Sequence, residues 1–441
     1  MRADYDAIIV GAGPAGSTTA ILLAQAGWNV ALVERQRFPR RKVCGECVAA
    51  SNLPLLDALG LGRIVAEHAG PQLQCVALMH GPHTRVAALP AAGAPHRWGR
   101  ALARETLDTA LLRRAREAGA TVLQPWAVVG LDGGPGHWRC RVRALCRAGG
   151  GKHDDENRSD YDGADADAET FDSQAGVAEL TAPLAIAAHG SWEPLPSERP
   201  LRRAAHAGSQ LFAFKANFRN TRLAAGLLPV LCLDGGYGGM VLAGDGVTTI
   251  ACCVRRDRLE ALRAAAPGEG AGEVVEGWLR RSCDGVAEAL AGARREGAWL
   301  AAGPIGPGVR LRADDGIFRV GNAAGEAHPI LGEGMSMALQ SAALLSTLML
   351  RDPAALRAGN AKAQRHLGQQ YAAQWQHHFV PRLRLAAAFA HAAMRPTSTA
   401  MLGALVHWYP SLLGRGARWG GKTRSAVLVS SLESSAAGQA S

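Results

Sequence analysis

Two cysteines in a C-x-x-C frame, Cys44 and Cys47 of "RFPRRKVCGEC", lie shortly after a glycine-rich hexamer, "GAGPAG". Such a pair can be a redox dithiol, half of a metal site or the wall of a cofactor pocket. A zinc site needs further ligands, and no second C-x-x-C exists: Cys252 and Cys253 are adjacent, and five residues separate Cys140 from Cys146. A thioredoxin-type dithiol opens a helix, whereas Pro39 and Gly45 mark an irregular loop here. Two further side chains could do proton chemistry. His328, immediately before Pro329, titrates in the useful range for an acid or base, and Tyr237 of "GGYGGMV" offers a phenol. Their plain alternatives are a histidine that only hydrogen-bonds its turn and a tyrosine that only fills the core.

The hexamer supplies Gly11, Gly13 and Gly16 in the G-x-G-x-x-G frame, with Pro14 and Ala15 between them. That spacing permits a tight turn, close approach of the backbone to a pyrophosphate and close helix packing. The segment "YDAIIVGAGPAGSTTAILLAQAGWNVALVER" around it reads as strand, turn, helix, strand, and Glu34 closes it 23 residues after Gly11, where a carboxylate accepts from ribose hydroxyls. A second cradle stands near the other end, in "GIFRVGNAAGEAHPILGEGMSMALQSAALL". A strand ends at Gly321-Asn322, and Gly332, Gly334 and Met335 open a helix whose free N–H groups suit an anionic or electron-rich group. Two cradles at opposite ends of a long chain fit FAD better than NAD.

Together these residues resemble the FAD-dependent oxidoreductase superfamily of aromatic-ring hydroxylases (group A flavoprotein monooxygenases), geranylgeranyl reductases and flavin-dependent halogenases. The matching motifs are "GAGPAG", Glu34-Arg35, "FPRRKVCGE", Arg104 before a helix and "GNAAGEAHPILGEGM"; "VCGE" is most similar to the geranylgeranyl reductase branch. The resemblance implies an α/β fold, with a Rossmann-like FAD-binding domain of the glutathione-reductase type, an inserted antiparallel-sheet substrate domain and a C-terminal helical region. It implies FAD contacts from Gly11, Gly13, Pro14, Ala15, Gly16, Glu34, Arg35, Cys44, Gly45, Arg104, Gly321, Asn322, Pro329, Gly332, Gly334 and Met335. It also makes Cys44 and Gly45 pocket wall, with Cys47 incidental. Where the family usually has Gly-Asp at the ribityl chain, this chain has Gly321-Asn322, a neutral acceptor in place of a charged one. His189-Gly190 replaces the Asp-Gly pair that serves FAD and the nicotinamide donor in hydroxylases. The halogenase motif W-x-W-x-I-P is absent and no lysine lies between Lys42 and Lys152, which argues against halogenation.

The elements that must position these residues follow from patterning. The FAD-binding domain is expected over residues 1–70, 100–190 and 305–350, and the substrate domain over 71–99 and 191–304. Within the latter "LFAFKANF", "GGYGGMVL" and "VTTIACCV" alternate as strands. Residues 150–178 hold nine acids against Lys152 and Arg158 and read as a disordered acidic loop. Residues 351–441 form a helical region with eleven basic side chains and only Asp352 and Glu433 as acids. That region is compatible with peripheral membrane contact. The net charge of +10 comes without any nucleic-acid module. Nine cysteines and no export signal point to a cytoplasmic protein without a disulfide framework. No apolar run reaches the roughly 20 residues of a bilayer span.

The expected function is a FAD-dependent monooxygenase, a hydroxylase or epoxidase acting on a lipophilic or aromatic substrate. NADPH or NADH is the expected electron donor, His328, Tyr237 and Cys44 are the catalytic candidates, and no metal is called for. The alternative is a reductase of carbon–carbon double bonds like the geranylgeranyl reductases, with Cys44 or Tyr237 supplying the proton. A third reading is a flavin-binding protein without chemistry.

Overall fold

The computed structural model describes residues 2–145, 176–191, 195–196, 208–312, 314–409, 411–419 and 421–423. The acidic segment expected over 150–178 lies, as far as residue 175, outside the described residues.

The strand Ala7–Val10 is apolar at every position because both of its faces are covered. It sits at the centre of a five-stranded parallel sheet, ordered Phe318–Arg319, Leu184–Ala187, Ala7–Val10, Val30–Val33 and Thr121–Leu123. Alternation along the strand divides the core. Ala7 and Ile9 pack with the helices Pro14–Gln25, Arg104–Glu117 and Gly334–Met349, whereas Ile8 packs with Leu131, Trp138 and Leu180 of a second sheet on the opposite face. The result is a sheet with helices on one face and a four-stranded sheet on the other.

A seven-stranded sheet builds the other lobe, ordered Arg294–Ile305, Leu211–Arg219, Thr248–Arg255, Gly236–Leu242, Leu227–Leu233, Cys75–His80 and His83–Ala88. It departs from the expected antiparallel sheet in one place: Leu227–Leu233 pairs parallel to Cys75–His80. A parallel pair needs a long crossover, and the intervening passage through the first lobe supplies it. One face packs Phe214, Phe218 and Ile250 against Trp278 and Leu279 of the helix Ala271–Ser282. The other face, with Val76, Leu78, Ala213 and Tyr237, meets Ile330 and, from nearer the end of the chain, Ala390, Val406 and Leu413.

A 33-residue helix, Ala361–Ala393, ties the lobes together. Asn360 caps it by accepting from the Lys362 and Ala363 N–H groups. Leu367, Tyr371, Trp375, Phe379 and Leu383 recur every four residues and form its buried stripe. Tyr371 donates to the Arg319 carbonyl at 2.7 Å, and the Gln364 side chain accepts from Gly136 N–H and donates to the Pro183 carbonyl. Trp375 is fully buried beside Gly325, where a Cβ would stand 2.6 Å from the indole. Among the described residues no helix is long and apolar enough to cross a membrane. Truncating Trp375 to alanine empties this contact, and a loss of about 3–5 kcal/mol is expected. Chemical denaturation read by far-UV circular dichroism checks it.

Candidate functional site

The site is built first from glycines. Gly11 has φ +101°, and a Cβ there would meet the Ala188 carbonyl at 2.6 Å; a Cβ on Gly16 would stand 1.8 Å from the Gly11 carbonyl. Both positions therefore need glycine for the fold itself. Gly13 differs, because its missing Cβ faces open space with only Arg104 Nη2 at 3.9 Å. Gly45 and Gly334 also face open space. Three backbone segments thus leave room at one cleft, where the helices Pro14–Gln25 and Gly334–Met349 begin with free N–H groups.

The charges around the cleft are ordered. Glu34 is buried and accepts from Ala12 N–H and Gln36 N–H, each at 2.8 Å. Arg104 grips Asp108 through two hydrogen bonds of 2.7 and 2.6 Å. Arg40 lies 3.8 Å from Glu34 and 4.0 Å from Asp108, and its buried Nε has no hydrogen-bond partner among the described residues. Burial, together with the cations of Arg104 and Arg40, lowers Lys42 from the usual lysine range to about 8. Three cations against two carboxylates, beside the N-terminus of the Pro14–Gln25 helix, suit a pyrophosphate. Arg35 is exposed.

The second cradle is held from behind. Gly321 has φ +61° and donates its N–H to Ser341 Oγ at 2.9 Å. The Asn322 amide donates to Ser191 Oγ at 2.9 Å, and the residue lines the cavity with Oδ1 as its remaining acceptor. Gly332, at φ +62°, turns the chain from Pro329 into the helix that Gly334 and Met335 open. Asn52 bonds Ser336 and Gln340 at 2.8 Å each, fixing that helix start. These residues fit an FAD: Gly13 and Gly16 with Arg40, Lys42 and Arg104 would hold the pyrophosphate, and Glu34 the adenosine ribose. Asn322 and Gly334 would hold the ribityl chain and ring.

A single cavity of about 290 Å³ runs from Gly13 and Ala15 past Cys44, Gly45 and Gly334 to Val76, Leu78, Val230, Met240, Phe389 and Leu413. Of the catalytic candidates, Cys44 and Tyr237 line it. His328 does not; it stands behind Tyr237, whose hydroxyl is 3.1 Å from His328 Nδ1. Burial, with His391 nearby, lowers His328 to about 4, so it is neutral at pH 7. Burial beside Cys253 raises Tyr237 well above the ordinary phenol range. Both thiols of the C-x-x-C are free. Cys47, expected to be incidental, also lines the cavity, and it accepts from Lys422 Nζ at 3.6 Å. Among the described residues no group of three metal-ligating side chains assembles.

Sequence reasoning missed the residue on which the loop turns. Glu46 has φ +56° and is 1% exposed. Its carboxylate accepts from Lys215 Nζ at 2.5 Å, Thr249 Oγ1 at 2.7 Å and Arg104 N–H at 2.9 Å, the last capping the Arg104–Glu117 helix. A signal existed in "LFAFKANF", where Lys215 is the lone cation in a strand apolar on both faces and must find a carboxylate. Lys215 is thereby spent on Glu46 and not free in the cavity.

Residues 4–145 match the family described as FAD binding domain. The match spans about a third of the chain and places a FAD-binding domain there. It is 27% identical over 355 residues to digeranylgeranylglycerophospholipid reductase 2 of Methanopyrus kandleri, covering 76% of this chain and 74% of that one. A match to menaquinone reductase of Mycobacterium tuberculosis, 43% identical, extends over 63 residues, which are 14% of this chain and only 15% of that relative. The myxobacterial chondrochloren halogenase has the same fold, with a TM-score of 0.66 at 18% identity over 99% of this chain and 97% of the halogenase. So does "a probable FAD-dependent monooxygenase" from Pseudomonas aeruginosa, with 0.61 at 18% over 90% and 98%. The fold is thus shared with a halogenase and a monooxygenase, while the long alignment is with a reductase.

Two outcomes follow from the charges. Because burial and the neighbouring arginines lower Lys42 to about 8, FAD affinity should fall above that pH, by up to about tenfold per unit, and Lys42→Met should flatten the profile; fluorescence titration of FAD binding reads both. Glu46→Ala leaves Lys215 buried and unpaired, which should destabilise the chain by about 3–5 kcal/mol. Glu46→Leu with Lys215→Met should restore most of that stability in a thermal melt.

Proposed function

We propose that the chain is a FAD-dependent monooxygenase that hydroxylates or epoxidises a lipophilic or aromatic substrate, with NADPH or NADH as electron donor. The observation that carries this reading is the continuity of the cradle with a cavity whose far side is apolar. FAD supplies two-electron reduction and reaction with oxygen when bound; the protein's part is to keep water out and orient the substrate. Val76, Leu78, Val230, Met240, Phe389 and Leu413 exclude water and leave few polar anchors.

Tyr237 is the anchor. With neutral His328 accepting its proton, the phenol oxygen can receive a substrate hydroxyl; with the other tautomer, Nδ1–H donates to that oxygen and the phenol donates into the cavity. The pair can hold or pass one proton without placing a charge in the dry vault. Lys215, the lysine of the sheet, is bound by Glu46 and offers no free amine for halogen chemistry.

The second reading, reduction of a carbon–carbon double bond, is favoured by the 355-residue alignment with a reductase and by Cys44 on the cavity wall. Turnover of a panel of polyenes and phenols with NADPH under ¹⁸O₂ separates the two. The monooxygenase reading expects one labelled oxygen in the product and no turnover without oxygen. Undiminished anaerobic turnover with a product heavier by two hydrogens would sink it and establish the reductase.

A further inference from the structure

The two short helices near the end of the described chain, Pro396–Trp408 and Ser411–Trp419, are unusually bare. Met401, Leu405 and Trp408 are 74%, 48% and 76% exposed. With exposed Ala404 they occupy positions i, i+3, i+4 and i+7, one face of the first helix. Tyr409, next in the chain, and Trp419, at the end of the second helix, are 61% and 71% exposed. A helix folded by its own amphipathicity would turn this stripe inward. Here the inward face is a different set of residues, Thr399, Val406 and Leu413.

Charge frames the patch with one sign. Arg395, Arg415 and Arg418 are exposed beside it, and no aspartate or glutamate occurs between Asp352 and Glu433. We infer that this face docks on an anionic lipid surface, lying in the headgroup region with the indoles and phenol at the boundary and the arginines over the phosphates. Indole and phenol groups favour that depth, having an apolar body and a polar tip. A protein interface would carry hydrogen-bonding groups among its apolar anchors. The Met401–Trp408 stripe offers only the indole N–H of Trp408.

The placement adds a second reason. Leu413, Gly416 and Ala417 line the cavity, while Arg418 and Trp419, on the same helix, are exposed. Leu402, Val406 and Leu413 also pack into the cluster that holds Val76 and Leu78. The second helix is therefore a wall of the apolar cavity, and the first, packed against it, carries the apolar stripe. At 13 and 9 residues the helices lie on a bilayer and do not span it. The inference concerns where the protein works, and it stands whether the reaction is oxygenation or reduction.

The test is co-sedimentation of the full FAD-loaded chain with vesicles of phosphatidylcholine mixed with phosphatidylglycerol. Pelleting with mixed vesicles is expected, weakened at least about tenfold on pure phosphatidylcholine or in molar salt. Trp408→Ala with Trp419→Ala should weaken pelleting on the mixed vesicles by a similar factor. Arg415→Gln with Arg418→Gln should remove the preference for anionic lipid. Both double variants should keep the flavin absorbance and melting temperature of the parent, because the replaced side chains are exposed. Failure to pellet with mixed vesicles at low salt overturns the inference. So does pelleting that the tryptophan variant leaves unchanged, or preferential capture of the patch by an acidic protein while vesicles stay unbound.

Discussion

One buried carboxylate sets the geometry on which the rest depends. Glu46 sits where the loop after the second strand, the Arg104–Glu117 helix and the seven-stranded sheet converge, and it takes a donor from the last two. A desolvated carboxylate is tolerable only when such partners are in place, so its ionic and hydrogen-bonding demands lock the three elements into one arrangement. The loop holds its left-handed turn at Glu46 because the Leu102 N–H also bonds the Glu46 carbonyl. Cys44 and Gly45 are thereby fixed as wall, two residues and one residue upstream of the anchor.

Polarity is then distributed from that junction outward. Cations and free backbone N–H groups collect where a dinucleotide phosphate would lie, and aliphatic and aromatic side chains collect beyond the ring-facing turn. The Tyr237–His328 pair is the exception on the apolar side, and burial keeps both members uncharged. A neutral relay suits a cavity of low dielectric, in which an isolated charge would be costly.

The two cradles were legible in the sequence because backbone chemistry dictates residue type there. At Gly11 and Gly16 any side chain collides with main-chain atoms, so the spacing of glycines carries the meaning. The helix starting at Gly334 was legible for a similar reason, since a glycine-rich turn must precede it. What escaped depends on distance along the chain. Lys215 meets Glu46 across 169 positions, and Lys422 reaches Cys47 across 375. Strand alternation exposes the need for a partner at Lys215 but does not name it. The parallel pairing of Cys75–His80 was hidden because a hairpin pattern fixes only neighbouring strands. Burial takes His328 below the useful range that its residue type suggests, and its place behind Tyr237 follows from side-chain packing that periodicity does not encode.

The seven-stranded sheet takes Cys75–His80 and His83–Ala88 from one stretch of chain and its other five strands from another, with most of the dinucleotide-binding strands before, between and after them. The two lobes are laced together, so no single cut yields two self-standing pieces. A sheet transplanted into a relative would have to arrive as two inserts in register. Diversification of what this cavity admits is therefore channelled into individual side chains on the sheet and into the terminal helices, which form a contiguous stretch and can change without unlacing the rest.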